Sequence, residues 1–89
     1  MNTYRPAPGV LAEEIDGRTL LIDAGSSELV TLNPVGSIVW GALGEGPATV
    51  DRLVEVVATT YTDVPAAQLA EDVEAFLDEL TAAGLVLAG

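Results

Sequence analysis

The sequence predicts an α+β domain, a three-stranded antiparallel sheet followed by three helices packed on one side of it. Two observations predict it. Asp16-Gly17, the strongest short hairpin signal, separates two stretches at residues 10–15 and 18–23 that read as strands. At Asn33-Pro34 the apolar period then lengthens to the helical ~3.6 and keeps that value through residue 80. Strands first and helices after is the order of an α+β architecture, with one face of the sheet covered. At 89 residues there is room for one domain, taken as 1–89.

A two-residue turn at Asp16-Gly17 pairs Ile15 with Arg18, Glu13 with Leu20 and Leu11 with Ile22. Leu11, Ile15, Leu20 and Ile22 then share one face, read as the core face, against Val10, Ala12, Glu14, Thr19, Leu21 and Asp23 on the other. Ala24-Gly25-Ser26-Ser27 turns the chain into a third strand over residues 29–32. A tight Gly25-Ser26 turn would align Ile22 with Leu29 and set Asp23 opposite Glu28. A longer loop aligns Ile22 with Val30 and Leu20 with Leu32, and is preferred because it keeps the core face apolar. It leaves Leu21 and Leu29 on the outer face, needing cover or a partner.

Asn33 is a preferred N-cap and Pro34 suits the first helical position. Val35, Ile38, Val39, Ala42 and Leu43 follow at helical spacing around Trp40, until Gly44-Glu45-Gly46-Pro47 ends the helix. Thr49 caps a second helix striped by Val50, Leu53, Val54, Val57, Ala58 and Tyr61. Thr62-Asp63-Val64-Pro65 breaks the chain, and Leu69, Val73, Phe76, Leu77 and Leu80 stripe a third helix that Gly84 stops. Leu85-Val86-Leu87 is an apolar tail expected to pack back on the body. Trp40, Tyr61 and Phe76 all fall in helices, where core packing accounts for them.

The residue types present exclude most chemistry. The chain has no His, no Cys and no Lys, so it lacks the usual general base, the best nucleophile and the Schiff-base amine. Ser26, Ser27 and Ser37 have no imidazole or amine to activate them. Glu13-Glu14, Glu71-Asp72 and Asp78-Glu79 are adjacent pairs whose side chains diverge on a strand or helix. Without thiols there are no disulfides or thiolate metal sites, and neither metal nor cofactor is expected. Fourteen acids against three arginines give a net charge of −11. That sign opposes nucleic acid and anionic membranes, and steers a basic partner in; its plainer use is solubility. No apolar run reaches the ~20 residues of a membrane span, and the start lacks the pattern of a signal peptide, so a cytoplasmic location is expected.

Two features suggest binding. Leu29-Val30-Thr31-Leu32 carries no Lys and no Pro, the residues that usually blunt a sheet edge, so it could accept an incoming strand unless a helix covers it or Glu28 and Asn33-Pro34 guard it. The third helix carries Glu71, Asp72, Glu74, Asp78 and Glu79 without one base, a repulsive arrangement that a basic partner would relieve and that a solvated face also explains. Gly44–Thr49 lacks a lysine and reads as a turn rather than a phosphate loop. Val35-Gly36-Ser37-Ile38 weakly resembles the modified serine of acidic carrier proteins, but lacks the preceding Asp and follows a hairpin unknown in an all-helical carrier.

Leu32-Asn33-Pro34-Val35-Gly36-Ser37-Ile38-Val39-Trp40 resembles the PqqD family, whose hallmark is a strand ending in Leu-Asn, a small residue, then Ile/Val-Trp on the first helix. Pro8-Gly9-Val10, Thr49-Val50, Leu53-Val54, Tyr61, the run from Asp72 through Leu80, and Gly84-Leu85-Val86 follow in family order, so the likeness spans residues 6–87. It implies a winged-helix-like recognition domain for ribosomally made, modified peptides. Such domains add the precursor's leader as an antiparallel strand beside the third strand, in a groove walled by the third helix. Carried over, this nominates Glu28, Leu29, Val30, Thr31 and Leu32 for backbone pairing, and Leu69, Asp72, Val73 and Phe76 for the wall. The chain is most similar to stand-alone leader-binding proteins of lasso peptide biosynthesis, which implies a leader peptide, a leader peptidase and a cyclase as partners; the acid excess of the chain predicts that the leader is basic. The alternatives are a peptide chaperone for a radical enzyme in cofactor biosynthesis, an acidic carrier, or a winged-helix DNA reader, the last opposed by the charge.

Overall fold

The computed structural model describes residues 2–23, 25 and 29–89. Eight elements follow in order: β1 (Tyr4–Pro6), β2 (Val10–Ile15), β3 (Arg18–Asp23), β4 (Leu29–Thr31), α1 (Pro34–Leu43), α2 (Val50–Ala58), α3 (Ala66–Ala82) and β5 (Val86–Ala88). β2, β3 and β4 form the expected antiparallel sheet in that order, and β1 pairs with β5 in a second sheet of two strands. The predicted α+β class and the run of three helices stand.

Local chemistry sets the boundaries. Asp16 and Gly17 both take positive φ, 53° and 79°, which the tight turn between β2 and β3 requires. Asn33 caps α1 with Oδ1 accepting the Gly36 N–H at 2.7 Å, and Pro34 follows at the first helical position. Thr49 Oγ1 accepts the Arg52 N–H at 3.2 Å to start α2. At the end of α3, Gly84 takes φ 78° while the Leu85 N–H reaches the Leu80 carbonyl at 2.9 Å, a glycine-terminated stop. Tyr61 lies beyond the last residue of α2 rather than within it, and is half-buried against the core.

The hairpin pairs as predicted, with Ile15 opposite Arg18, Glu13 opposite Leu20 and Leu11 opposite Ile22. The third strand does not. Ile22 faces Leu29, Leu21 faces Val30 and Leu20 faces Thr31, the tight register rather than the preferred longer one. The proposed turn residues Ala24, Ser26 and Ser27, and Glu28 after them, lie outside the described residues.

This register reverses the assignment of faces. Leu21 is fully buried and Leu32 nearly so, whereas Leu11, Ile15 and Leu29 are 59%, 52% and 64% exposed. The physical cause lies at the end of β4. Leu32 must enter the core because α1 starts immediately after it and buries Gly36, Val39, Trp40 and Leu43. Alternation then carries Val30 and its partner Leu21 inward, and sends Leu29, Ile22 and Leu11 out. The inner face meets a core built from Leu53 and Val57 of α2 and Leu69, Val73, Leu77 and Leu80 of α3.

The apolar tail packs back as expected: Leu85 and Val86 are buried, and β5 pairs with β1 in the register Arg5 to Leu87. Tyr4 turns its backbone the other way and exchanges hydrogen bonds with Ala48 at 2.8 and 3.0 Å. Pro6 shares the parity of Tyr4, so its missing N–H costs the β1–β5 ladder nothing.

The two faces can be told apart by stability. Leu21→Ala is expected to cost about 2–5 kcal/mol, the range for a large core side chain, and Leu11→Ala no more than about 0.5 kcal/mol. Urea midpoints of the two variants measure the contrast, and equal losses would contradict the register.

Candidate peptide-binding groove

In an antiparallel ladder each residue sends its N–H and C=O to the same neighbour, and the next residue sends both the other way. The Leu32 N–H donates to the Thr19 carbonyl at 2.8 Å, and Val30 lies opposite Leu21. Val30 and Leu32 therefore spend their backbone groups on β3. Leu29 and Thr31 direct theirs away from the sheet, where no strand among the described residues pairs with them. The sequence could name the edge but not this parity.

Helix α3 packs on α1, α2 and β5 and leaves a groove beside β4. One hollow of about 200 Å³ is lined by Val30, Thr31, Leu32 and Asn33 on the strand side and by Phe76, Glu79 and Leu80 of α3. A second, about 290 Å³, adjoins it between Asn33 and Val35 and the Asp72, Ala75, Phe76 and Glu79 stripe. The two share Asn33, Phe76 and Glu79, so they form one trough along α3. Each is below the ~300–1,000 Å³ of a small-molecule pocket, a size suited to single side chains of an extended chain.

The wall depends on a missing side chain. A Cβ on Gly36 would lie 2.6 Å from Cε1 and 3.0 Å from Cδ1 of Phe76, and 3.2 Å from Asn33 Oδ1. Glycine lets the ring lie against α1, half-buried, while the Asn33 cap stays seated. Ser37, one residue on, accepts the Thr19 N–H at 3.2 Å and so ties α1 to the end of the ladder. That bond accounts for the serine that resembled a carrier's modification site.

A model of the family described as coenzyme PQQ synthesis protein D (PqqD) matches residues 18–86. The chain belongs to the PqqD family. No curated protein matches it. Among solved structures it is similar to TbiB1 in complex with the TbiA(beta) leader peptide, with 24% identity, a TM-score of 0.83, and coverage of 92% of this chain and 93% of that one. It is also similar to a lasso peptide synthetase B1 complexed with the leader peptide, with 21% identity, a TM-score of 0.81, and coverage of 94% and 96%. At these identities the likeness establishes a common fold, and the PqqD hallmark run, Leu32 through Trp40, is the segment that builds the junction of β4 with α1.

Of the nominated residues, the PqqD-type groove brings together Val30, Thr31, Leu32, Asp72 and Phe76. Leu29 stands exposed on the same edge. Leu69 and Val73 are buried in the core and back the wall without lining it. Glu28 lies outside the described residues. Ala75 and Glu79, absent from the nominated set, complete the wall, and Asn33 and Val35 close the trough from the side of α1. Their signal was the stripe 72, 75, 76, 79, one position round the helix from the apolar stripe that marks the core.

Proline substitutions should split by parity. Val30→Pro removes a donor from the ladder and should lower the melting temperature sharply, whereas Leu29→Pro and Thr31→Pro should fold, with alanine at each site as the control. Gly36→Ala should destabilise by about 1–3 kcal/mol through overpacking. Gly36→Ala combined with Phe76→Leu should recover most of that loss, measured by urea unfolding.

Proposed function

We propose that this chain binds the leader segment of a ribosomally made precursor peptide by strand addition and presents it to a separate leader peptidase in lasso peptide maturation. The observation that carries this reading is the Leu29 and Thr31 edge, unpaired among the described residues, beside a trough of side-chain size. An added strand finds main-chain partners on β4 and places alternate side chains against Phe76. Two chains of the same fold have been solved holding a leader peptide, which supports the same use here.

The reading makes the protein a one-domain, non-catalytic adaptor of the cytoplasm, needing no cofactor. Among the described residues no helix is long and apolar enough to cross a membrane. Its contribution is effective concentration: holding the leader converts the encounter of substrate and peptidase into a local one. The outer face of the sheet, with Leu11, Ile22 and Leu29 in one row, would continue into the added strand and is the surface offered to the peptidase or to a cyclase. A second reading, chaperone to a radical enzyme of cofactor synthesis, takes its support from the family's description. It uses the same groove and differs only in the enzyme that docks.

Titration of the precursor leader tests the reading. Thr31→Pro should lose at least the ~0.5–1.5 kcal/mol of one net hydrogen bond while Thr31→Ala binds nearly as wild type. A folded Thr31→Pro protein that binds leader normally places the peptide elsewhere. Duplex DNA should not be shifted at physiological salt, and tight, salt-sensitive DNA binding would overturn the adaptor role.

A further inference from the structure

Asp72, Phe76 and Glu79 are separated by four and three residues on α3, so they form one stripe along the trough with the ring in the middle. Seven residues of helix put the two carboxylates about 10 Å apart along the axis. Both acids are exposed, and nothing on α3 offsets them, because the helix has no base. The three arginines stand elsewhere: Arg5 in β1, Arg18 at the hairpin, and Arg52 in α2, where it meets Glu55 at 3.4 Å. Glu79 also occupies the last turn of α3, where the helix's own partial charge is negative and a cation would be favoured. The rest of the trough lining is uncharged: Thr31 brings a hydroxyl and Asn33 an amide, and the other residues are apolar.

We propose that the groove selects leaders carrying a Lys or Arg on each side of an apolar residue, with the apolar side chain on the Phe76 ring and the cations at Asp72 and Glu79. The inference rests on the strand-addition reading and names the chemistry of its ligand. An added strand turns every second side chain into the trough, each step of two residues advancing it roughly 6.7 Å. A basic residue two positions before and two after the apolar one would span about 13 Å, and long flexible cationic side chains close the difference to the carboxylates. The pattern expected in the peptide is therefore basic, any, apolar, any, basic.

The experiment is selection of a random-sequence displayed peptide library on the immobilised full chain. Captured peptides should be enriched in that pattern. On a protein carrying both Asp72→Lys and Glu79→Lys the enriched flanks should turn acidic. A protein carrying Glu71→Lys and Glu74→Lys, acids of the same helix outside the trough, should leave the pattern unchanged. Asp72→Asn and Glu79→Gln, which alter the surface least, should each weaken an enriched peptide by between about twofold and fivefold at low salt, the effect of an exposed ion pair, and the difference should shrink as salt is added. Peptides captured without charge preference, or with the same basic flanks on the lysine-substituted groove, overturn the charge selection. In that case the strand-addition reading stands if Thr31→Pro abolishes capture. No enrichment over the bare support, or enrichment that survives Thr31→Pro, overturns the reading beneath it.

Discussion

Leu32 gives its N–H to Thr19, Thr19 gives its own to Ser37 Oγ, and Asn33 Oδ1 takes the N–H of Gly36. Three short bonds thus weld the last strand of the sheet to the first helix. Every later feature inherits its geometry from this weld. It fixes the register of β4, hence which face of the sheet enters the core. It fixes the parity of the open edge, hence which backbone groups face the trough. It also brings Gly36 under α3, so that the Phe76 ring can lie against α1 beside the trough.

An open edge and an exposed apolar sheet face invite self-association, and β4, three residues long, has neither Lys nor Pro to blunt it. Its protection is collective. At −11, two copies approaching edge to edge repel one another before their backbones can pair, whereas a cationic peptide is drawn to the same surface. One charge distribution can therefore repel a second copy and attract a cation at the same surface. The two readings of the acids, solubiliser or recognition element, need not compete. The cost is sensitivity to ionic strength, since the range of such fields contracts to about 8 Å at physiological salt.

What was legible in the sequence is what short-range chemistry decides. Asp16-Gly17, Asn33-Pro34, Thr49 and Gly84 each satisfy a local backbone need, and each terminates or starts an element where expected. The apolar stripes of α1, α2 and α3 point inward for the same reason. The faces of the sheet were misread because apolar residues occur on both, and the set Leu11, Ile15, Leu20 and Ile22 looks the more hydrophobic. Only the demand that Leu32 lie beneath α1 breaks the tie, and that is a tertiary constraint. The β1–β5 sheet was missed because strands of three residues have almost no pattern, and their pairing joins opposite ends of the chain. Helical spacing puts Leu69 and Val73 in the core stripe, where they lie buried; their place in the wall was only what the family resemblance implied, and they stand behind it.

The pairing of β1 with β5 has a mechanical consequence. Thr3 and Gly89 exchange hydrogen bonds at 3.1 and 2.9 Å, and the strands run antiparallel inward from that pair. A force that draws these two residues apart therefore loads the outermost bonds alone and opens them one after another, as in a zipper, instead of shearing the ladder all at once. Each rung resists with only the ~1 kcal/mol of a single net hydrogen bond. The strand pair is thus held best when all its rungs act together, and least against a pull that separates Thr3 from Gly89.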